Sequence, residues 1–187
     1  NIGIKESKGD YIARMDADDI SLPSRFEEQI CFMKKLSLDI CGGHSLIIDD
    51  SGHVNSIGIV PQSHETCGLS LLFKVPFAHP SVMIKKFFLL KHNLKYLGKY
   101  EDFSLWAKMF SLGARFGNVN KILLQYRVLN NSLSSVHEVG AYRHNKKVKK
   151  KFSLNHYDYF NNVIKNLDIK LLNVEEKSIV VRFIVNR

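Results

Sequence analysis

The stretch YIARMDADDISLP, residues 11–23, runs from a mostly apolar segment directly into a group of acidic residues. Tyr11–Met15, five mostly apolar residues, predicts a strand. Pro23 suits the first turn of a helix, and the spacing of the apolar residues after it predicts a helix that ends near Leu38. Three carboxylates lie between the two predicted elements: Asp16, Asp18 and Asp19.

The rest of the chain alternates between predicted strands and helices. The runs 39–48 and 53–60 predict two strands, joined by a turn at DDSG, residues 49–52. Later segments predict a helix in 61–73, a strand-like run at 79–86, an amphipathic helix ending at Gly113, a short strand after it and a further strand at 121–128. This alternation is typical of an α/β fold.

Composition gives few signs of location. No run approaches the roughly 18 apolar residues that a membrane helix needs. The polar N-terminus carries no signal-peptide pattern, and since there is no initiator methionine we expect that Asn1 is not the natural start. The three cysteines form no C-x-x-C pair, which favours a reducing cytoplasm.

Positive charge is concentrated at the C-terminal end. Residues 139–187 contain eleven Lys or Arg and four Asp or Glu, so they account for seven of the nine net positive charges. We therefore expect a boundary near residues 132–138, with one domain over 1–137 and a basic, helical extension over 138–187 that the first domain does not need in order to fold. Residues 143–151 would form either a solvated helix face or a contact with an anionic membrane surface, nucleic acid or an acidic partner. Nothing indicates specific recognition of nucleic acid.

The three carboxylates suggest a metal site. In open α/β sheets, ligands bind outside the carboxyl ends of the strands, which is where Asp16, Asp18 and Asp19 are expected. Carboxylates this close repel one another unless a cation compensates, and Mg²⁺ or Mn²⁺ is typically held by one or two of them together with substrate phosphates. The alternative is that Asp18 or Asp19 only caps the following helix.

Two other kinds of acidic site have a similar pattern, a calcium-binding loop and a phosphatase site. A calcium-binding EF-hand loop starting at Asp16 would need glycine where Ser21 stands and would not contain Pro23, so it is rejected. A phosphatase of the haloacid dehalogenase type stays a weak alternative, because IIDDSG resembles a turn more than the second acidic pair which that family needs.

A second acidic pair, Glu101 and Asp102, begins the amphipathic helix EDFSLWAKMFSLG. Asp102 shares a helix face with Leu105, Trp106 and Met109, so it is expected to begin the inward-facing side. A carboxylate at that place would serve either as a general base or only as a favourable charge for the helix dipole.

Taken together, these segments resemble the family 2 glycosyltransferases, which have the nucleotide-sugar-binding GT-A fold. The resemblance runs in order from Asn1 to about Ser135. The segments that carry it are NIGIKESKGDYIARMDADDISLPSRFEEQI, IIDDSG, HPSVMIKK, YEDFSLW and LLQYRVLNNSLSS. It implies a Rossmann-like mixed sheet with helices on both faces.

The resemblance also implies roles for single residues. Asp16 and Asp18 match the D-x-D motif: Asp16 would contact the ribose of the donor nucleotide or the metal, and Asp18 would bind Mg²⁺ or Mn²⁺ on the diphosphate. Asp19 would support the loop or a metal-bound water. Asp102 matches the catalytic base, with Glu101 beside it as neighbour or backup. His79, in HPSVM, would lie near the donor sugar or the acceptor, or would only belong to a packed strand. The implied reaction is inverting transfer from a nucleotide-diphospho-sugar to a glycan or lipid-linked acceptor, in polysaccharide or lipopolysaccharide synthesis. The alternative is a non-catalytic remnant or binding module of the same fold.

The chain departs from the family pattern in two ways. The opening strands that hold the nucleobase have no counterpart after Asn1, so we expect an incomplete GT-A domain and little or no activity from the isolated chain. Leu129 stands where many members have a histidine after YRV, which removes one candidate ligand of the metal or phosphates.

Overall fold

The computed structural model describes residues 1–98, 101–129 and 138–185; for 138–145 it describes the backbone. The helices are α1 (Ile2–Glu6), α2 (Arg25–Leu36), α3 (His64–Ser70), α4 (Lys86–Lys91), α5 (Glu101–Ser111), α6 (Glu138–Asn166) and α7 (Val174–Val185). The strands are β1 (Tyr11–Ala13), β2 (Ile20–Ser21), β3 (Ile40–Ile48), β4 (Val54–Gly58), β5 (Met83–Lys85) and β6 (Phe116–Arg127).

The six strands form one mixed sheet in the order β1-β5-β3-β6-β2, with β4 also paired to β3. β3 and β6 run parallel at its centre, and the other pairings are antiparallel. β1 and β2 lie at opposite ends of this order, so the acidic turn that joins them passes from one edge of the sheet to the other.

The sheet is covered on both faces. Met33 of α2 packs on one face with Cys41 and Leu123. Helices α3, α4 and α5 cover the other face, where Trp106 is fully buried in the larger apolar cluster. The predicted α/β class, with a mixed sheet between helices, is therefore confirmed.

Two predicted strand boundaries differ from the structure. β1 ends at Ala13 rather than Met15, because Arg14 and Met15 already belong to the acidic turn. The two strands predicted after Gly113 are one twelve-residue strand, β6, whose register against β3 shifts near Gly43 and His44. Because of this shift in register, β6 continues as one strand through the polar residues that separate the two predicted strands.

The C-terminal helices pack into the main core. Five of their apolar side chains are at most 6% exposed and belong to the same cluster as Trp106: Phe152, Phe160, Ile179, Val180 and Phe183. Phe110 of α5 contacts the rings of Phe152 and Phe160 at centroid distances of 5.6 and 6.0 Å. This packing argues against the expectation that residues 139–187 could be removed without loss of the fold.

Glu176 joins α7 to the rest of the protein. It forms a capping box with Asn173, each side chain accepting a hydrogen bond from the other residue's backbone N–H. Its Oε1 also accepts from the N–H groups of Gln62 and Ser63 and from the hydroxyl of Thr66, at 2.7, 3.3 and 2.6 Å. The buried carboxylate therefore satisfies donors at the start of α3 as well as its own helix.

Some predictions concern residues that the structure does not describe. The last segment of the resemblance is residues 123–135, of which the structure describes only 123–129. The boundary predicted near residues 132–138 falls outside the described residues, apart from Glu138 itself. Whether 1–137 and 138–187 form separate domains stays a prediction. Within the described part of the chain, no helix has the length and apolar character needed to cross a bilayer.

Candidate active site

The three aspartates lie together in the turn between β1 and β2, but their surroundings differ. Asp16 Oδ2 accepts a hydrogen bond from Arg14 Nη1 at 2.6 Å. Asp18 is exposed, whereas Asp19 is 6% exposed. The turn therefore presents one paired, one open and one buried carboxylate.

Asp19 holds the turn against β6. Its Oδ1 accepts from the backbone N–H of Arg127 at 2.8 Å, while its buried Oδ2 has no hydrogen-bond partner among the described residues. Burial raises the pKa of Asp19; the Arg127 hydrogen bond opposes this, and the charges of Asp16 and Asp18 add to it. The charges of Asp16 and Asp18 thus act against ionisation of Asp19, and a divalent cation at the turn would offset them.

The donor set of this turn fits Mg²⁺ or Mn²⁺. Both prefer oxygen ligands, and Mg²⁺ usually keeps open positions for water and substrate phosphates. Asp18 is accessible to a cation, and Asp16 lies two residues before it. Across the described ranges, no group of three or more His, Cys, Asp or Glu side chains is arranged to hold a metal.

Arg127 connects the acidic turn to a second one. Its Nε donates to the carbonyl oxygen of Asp18 at 3.0 Å, and its Nη1 donates to the carbonyls of Asp49 and Asp50 at 2.7 and 3.0 Å. The DDSG turn, which the sequence places between β3 and β4, therefore lies beside the D-x-D turn.

A network of buried hydrogen bonds fixes the backbone at the start of the acidic turn. Arg25, 1% exposed, donates from Nη2 to the carbonyl of Arg14 at 2.7 Å and from Nε to Gln29 Oε1 at 3.0 Å. Gln29 Nε2 in turn donates to the carbonyls of Cys41 and Ser81 at 3.0 and 2.8 Å. Burial lowers the pKa of Arg25 to about 10, so the guanidinium stays charged at neutral pH.

Replacing Arg25 by alanine should destabilise the protein by about 3 kcal/mol, because Asp19 would lose a nearby buried cation and two acceptors would lose their donor. Arg115→Ala, at an exposed position, is the matched control and should change the free energy of unfolding by less than about 0.5 kcal/mol. Urea denaturation measures both. Equal effects of the two substitutions would contradict the structural role of Arg25.

Asp102 begins α5 in a half-buried position. Its Oδ1 accepts from the backbone N–H of Phe103 at 2.7 Å. Burial raises the pKa of Asp102, the Phe103 hydrogen bond opposes the shift, and the charge of Glu101 adds to it. A carboxylate with a raised pKa is a stronger base once it is ionised.

Arg14 acts electrostatically on both acidic regions. Its positive charge opposes the rise in the pKa of Asp19 on one side and of Asp102 on the other. The same charge lowers the pKa of His79. Asp19, His79 and Asp102 therefore all lie within the electrostatic influence of the Arg14 guanidinium.

His79 lies in an aromatic group with Tyr96 and Trp106. The three ring centroids are 5.7 to 5.9 Å apart. Within the part of the chain that the structure describes, three buried atoms of this group have no hydrogen-bond partner: His79 Nε2, the Tyr96 hydroxyl oxygen and Trp106 Nε1. Burial lowers the pKa of His79 to about 3, so its imidazole is neutral at physiological pH.

Sequence reasoning identified the carboxylates but missed the residues that organise them. Arg14 stands two positions before Asp16, and an arginine inside an otherwise apolar strand was the available signal. Arg25 looked like an ordinary helix residue, and Arg127 like part of a strand. The hydrogen bond from Arg25 to Arg14 spans 11 residues of the chain and that from Arg127 to Asp18 spans 109, which local patterns do not reveal.

Comparisons with known proteins identify the family of this chain. The family model of glycosyl transferase family 2 matches residues 1–94. The chain is 35% identical over 136 residues to the O-antigen biosynthesis glycosyltransferase WbnJ of Escherichia coli, covering 71% of this chain and 53% of WbnJ. It is 24% identical over its whole length to an E. coli UDP-Gal:alpha-D-GlcNAc-diphosphoundecaprenol beta-1,3-galactosyltransferase, of which it covers 70%.

Among solved structures, the fold is similar to that of Staphylococcus aureus TarS 1–349 in complex with UDP-GlcNAc. The TM-score is 0.53 at 15% identity, over 91% of this chain and 56% of TarS 1–349. The chain spans about half the length of several curated relatives that it matches. Since the family match covers half of its residues, the chain belongs to glycosyltransferase family 2.

Proposed function

We propose that this protein transfers a sugar from a nucleotide-diphospho-sugar to an acceptor hydroxyl, with inversion at the anomeric carbon. The observation that carries the proposal is the acidic turn after β1, where Asp18 is exposed and Asp16 accepts a hydrogen bond from Arg14, in a chain that belongs to glycosyltransferase family 2. An inverting transferase needs a group that stabilises the leaving diphosphate and a base for the attacking hydroxyl, and Asp102 at the start of α5 is the candidate base.

The metal would be held by Asp18, with Asp16 as the second carboxylate. When bound, Mg²⁺ or Mn²⁺ supplies Lewis-acid stabilisation of the charge on the diphosphate. Arg14, already paired with Asp16, keeps that carboxylate oriented in the turn. Asp19 supports the turn through its hydrogen bond with the backbone of Arg127.

Asp102 acts as the general base. It takes the proton from the acceptor hydroxyl while that oxygen bonds to the anomeric carbon and the bond to the diphosphate oxygen breaks. Glu101 is its neighbour and raises its basicity through like-charge repulsion. His79, neutral and partly buried, lies on the donor-sugar side.

The comparisons support a class of substrates. TarS was solved in complex with UDP-GlcNAc, and the E. coli galactosyltransferase is named for a UDP-Gal donor and a diphosphoundecaprenol acceptor. We therefore propose a nucleotide-diphospho-sugar donor and a glycan or lipid-linked acceptor, in polysaccharide or lipopolysaccharide synthesis. We place the reaction in the cytoplasm at the inner face of the membrane, with residues 143–151 in peripheral contact with anionic lipid.

The proposed function is tested by metal-dependent transfer in the protein as its gene encodes it. With radiolabelled UDP-GlcNAc and UDP-Gal, release of UDP should require added Mn²⁺ or Mg²⁺, should stop with a chelator and should return when the metal is restored. Transfer unaffected by the chelator would contradict the metal site. No turnover of a wide panel of donors would instead favour a non-catalytic binding module.

The expectation that the 187-residue chain alone has little activity stays a prediction. Turnover by that chain at about 1 s⁻¹ or faster, an ordinary enzymatic rate, would contradict it.

A further inference from the structure

Two turns of the candidate site lie side by side at the ends of neighbouring strands. β1 leads into the D-x-D turn, and β5 follows the HPS segment, His79–Ser81. Because the two strands pair antiparallel, with Ala13 opposite Met83, these ends meet. The N–H of Arg14 donates to the carbonyl of Val82 at 2.8 Å. The acidic turn and the HPS segment are therefore neighbours in the fold.

One side of α2 reaches both turns from the interior. Arg25 and Gln29 stand one helical turn apart and are 1% and 0% exposed. Arg25 Nη2 donates to the carbonyl of Arg14 at 2.7 Å, and Gln29 Nε2 donates to the carbonyl of Ser81 at 2.8 Å. The two side chains are joined to each other, since Arg25 Nε donates to Gln29 Oε1 at 3.0 Å. The same buried pair thus holds one backbone carbonyl at each turn.

The HPS segment is tied to the central strand β3 through the same amide. Gln29 Nε2 also donates to the carbonyl of Cys41 at 3.0 Å. A second bond, from the N–H of Gly43 to Ser81 Oγ at 3.3 Å, joins the segment to the same strand. Ser81 is fully buried, and His79 lies two residues before it. The bonds at Ser81 therefore help to determine where the His79 ring lies relative to β3.

Arg25 contributes charge as well as position. Burial lowers the pKa of Arg25 to about 10 and the charge of Asp19 opposes that shift, so a buried cation lies near the acidic turn at neutral pH. A lysine in its place would keep this charge, but its compact ammonium lacks the planar fork that donates to Arg14 and Gln29 in fixed directions. Arg25→Lys therefore separates the effect of position from that of charge.

We propose that Arg25 and Gln29 are positioning residues of the transferase site, which set the distance between the metal-binding turn and His79. The inference rests on the proposed function and deepens it, because the diphosphate and the sugar of one donor would have to reach these two places together. Both side chains are buried, so they act through the backbone carbonyls of Arg14 and Ser81 and not on the donor itself.

The first test measures the metal-binding turn in the full chain, by electron paramagnetic resonance of free Mn²⁺. Arg25→Lys should weaken Mn²⁺ binding about tenfold, as loss of a residue that orients metal ligands usually does. Gln29→Glu keeps an oxygen for Arg25 Nε but loses the N–H donors to Cys41 and Ser81, so it should change Mn²⁺ affinity less than twofold.

The second test observes the HPS segment without any ligand. In protein labelled with ¹⁵N-histidine, the imidazole resonances of His79 are assigned from a spectrum of His79→Asn. Gln29→Glu should move them beyond the spread among control variants, and Arg25→Lys should move them less. If the buried carboxylate prevents folding, Gln29→Met, of similar length and without donors, is measured with the same expectation.

Two controls on α2 separate positioning from stability and net charge. Met33→Val removes apolar volume from the same buried side of the helix, and Lys35→Gln repeats the charge change of Gln29→Glu at an exposed position. Both should change Mn²⁺ affinity less than twofold and leave the His79 resonances in place. Thermal melting of each variant confirms that it is folded.

Three results would overturn the positioning role. They are unchanged Mn²⁺ affinity in Arg25→Lys, unchanged His79 resonances in the Gln29 variant, or changes from Met33→Val as large as those from the pair, which would assign the effects to stability. If the natural sequence bound no Mn²⁺, the proposed function would fail, and the His79 resonances alone would decide the inference.

Discussion

Asp102→Asn is expected to lower the rate of sugar transfer by about 10²–10⁴-fold, the usual contribution of a positioned general base. Asparagine keeps the size of the side chain and an oxygen for the N–H of Phe103, so the start of α5 should be preserved. Donor binding, measured by calorimetry with a non-transferable nucleotide sugar, should change by less than about threefold. If the affinity for the donor fell by as much as the rate of transfer, Asp102 would be a donor-binding residue and not the general base.

The pH profile separates the same two roles. Asp102 must be ionised to accept a proton, and its pKa is raised above the ordinary value of 3.8, mainly by burial. The acid limb of kcat/KM should therefore lie at a higher pH than for an exposed aspartate, with activity lost as the pH falls through it. The residual activity of Asp102→Asn should lack this limb, and retention of the limb would assign it to another group.

Removing residues 138–187 is expected to unfold the protein. The deletion takes away five buried apolar side chains, each contributing about 1.5–3 kcal/mol when fully buried, so the loss is about 10 kcal/mol. That is comparable to the whole stability of an ordinary domain, about 5–15 kcal/mol. Circular dichroism with urea denaturation should show no cooperative transition for the shortened chain. A cooperative transition near that of the intact chain would mean that 1–137 folds alone.

A pair of point variants examines the same interface without a deletion. Glu176→Ala leaves several buried donors at the start of α3 and α7 without an acceptor and should cost about 3 kcal/mol or more. Glu175→Ala removes only a salt bridge to Lys74 near the surface and should cost less than about 1 kcal/mol. Similar losses from both would contradict the docking role of Glu176.

Local patterns were sufficient for much of the fold. The change from an apolar run to carboxylates and then to Pro23 marked the end of β1 and the approach to α2, because strand and helix signals are short-range. The helical spacing of Leu105 and Trp106 likewise indicated which side of α5 faces inward, and Asp102 begins that side. The catalytic and metal-binding roles of these residues stay predictions.

The rest depends on contacts between distant residues. The bonds from Arg127 to the carbonyls of Asp18 and Asp49 form only after β6 pairs with β2 and β3. In α6 the high density of lysines hid Phe152 and Phe160, whose spacing of eight residues places them on one helix face. The basic composition of this segment suggested a solvated helix or a membrane contact, whereas the two aromatic rings determine where α6 packs.

The most direct test of the account measures Mn²⁺ binding to the D-x-D turn. Electron paramagnetic resonance of free Mn²⁺, with and without UDP, should show a bound ion in the natural sequence. Asp18→Ala should weaken that binding at least tenfold, whereas Asp50→Ala, in the neighbouring turn that Arg127 holds through backbone carbonyls, should change it less than twofold. Equal effects of the two substitutions, or unchanged binding in Asp18→Ala, would contradict a metal–diphosphate site at Asp16 and Asp18.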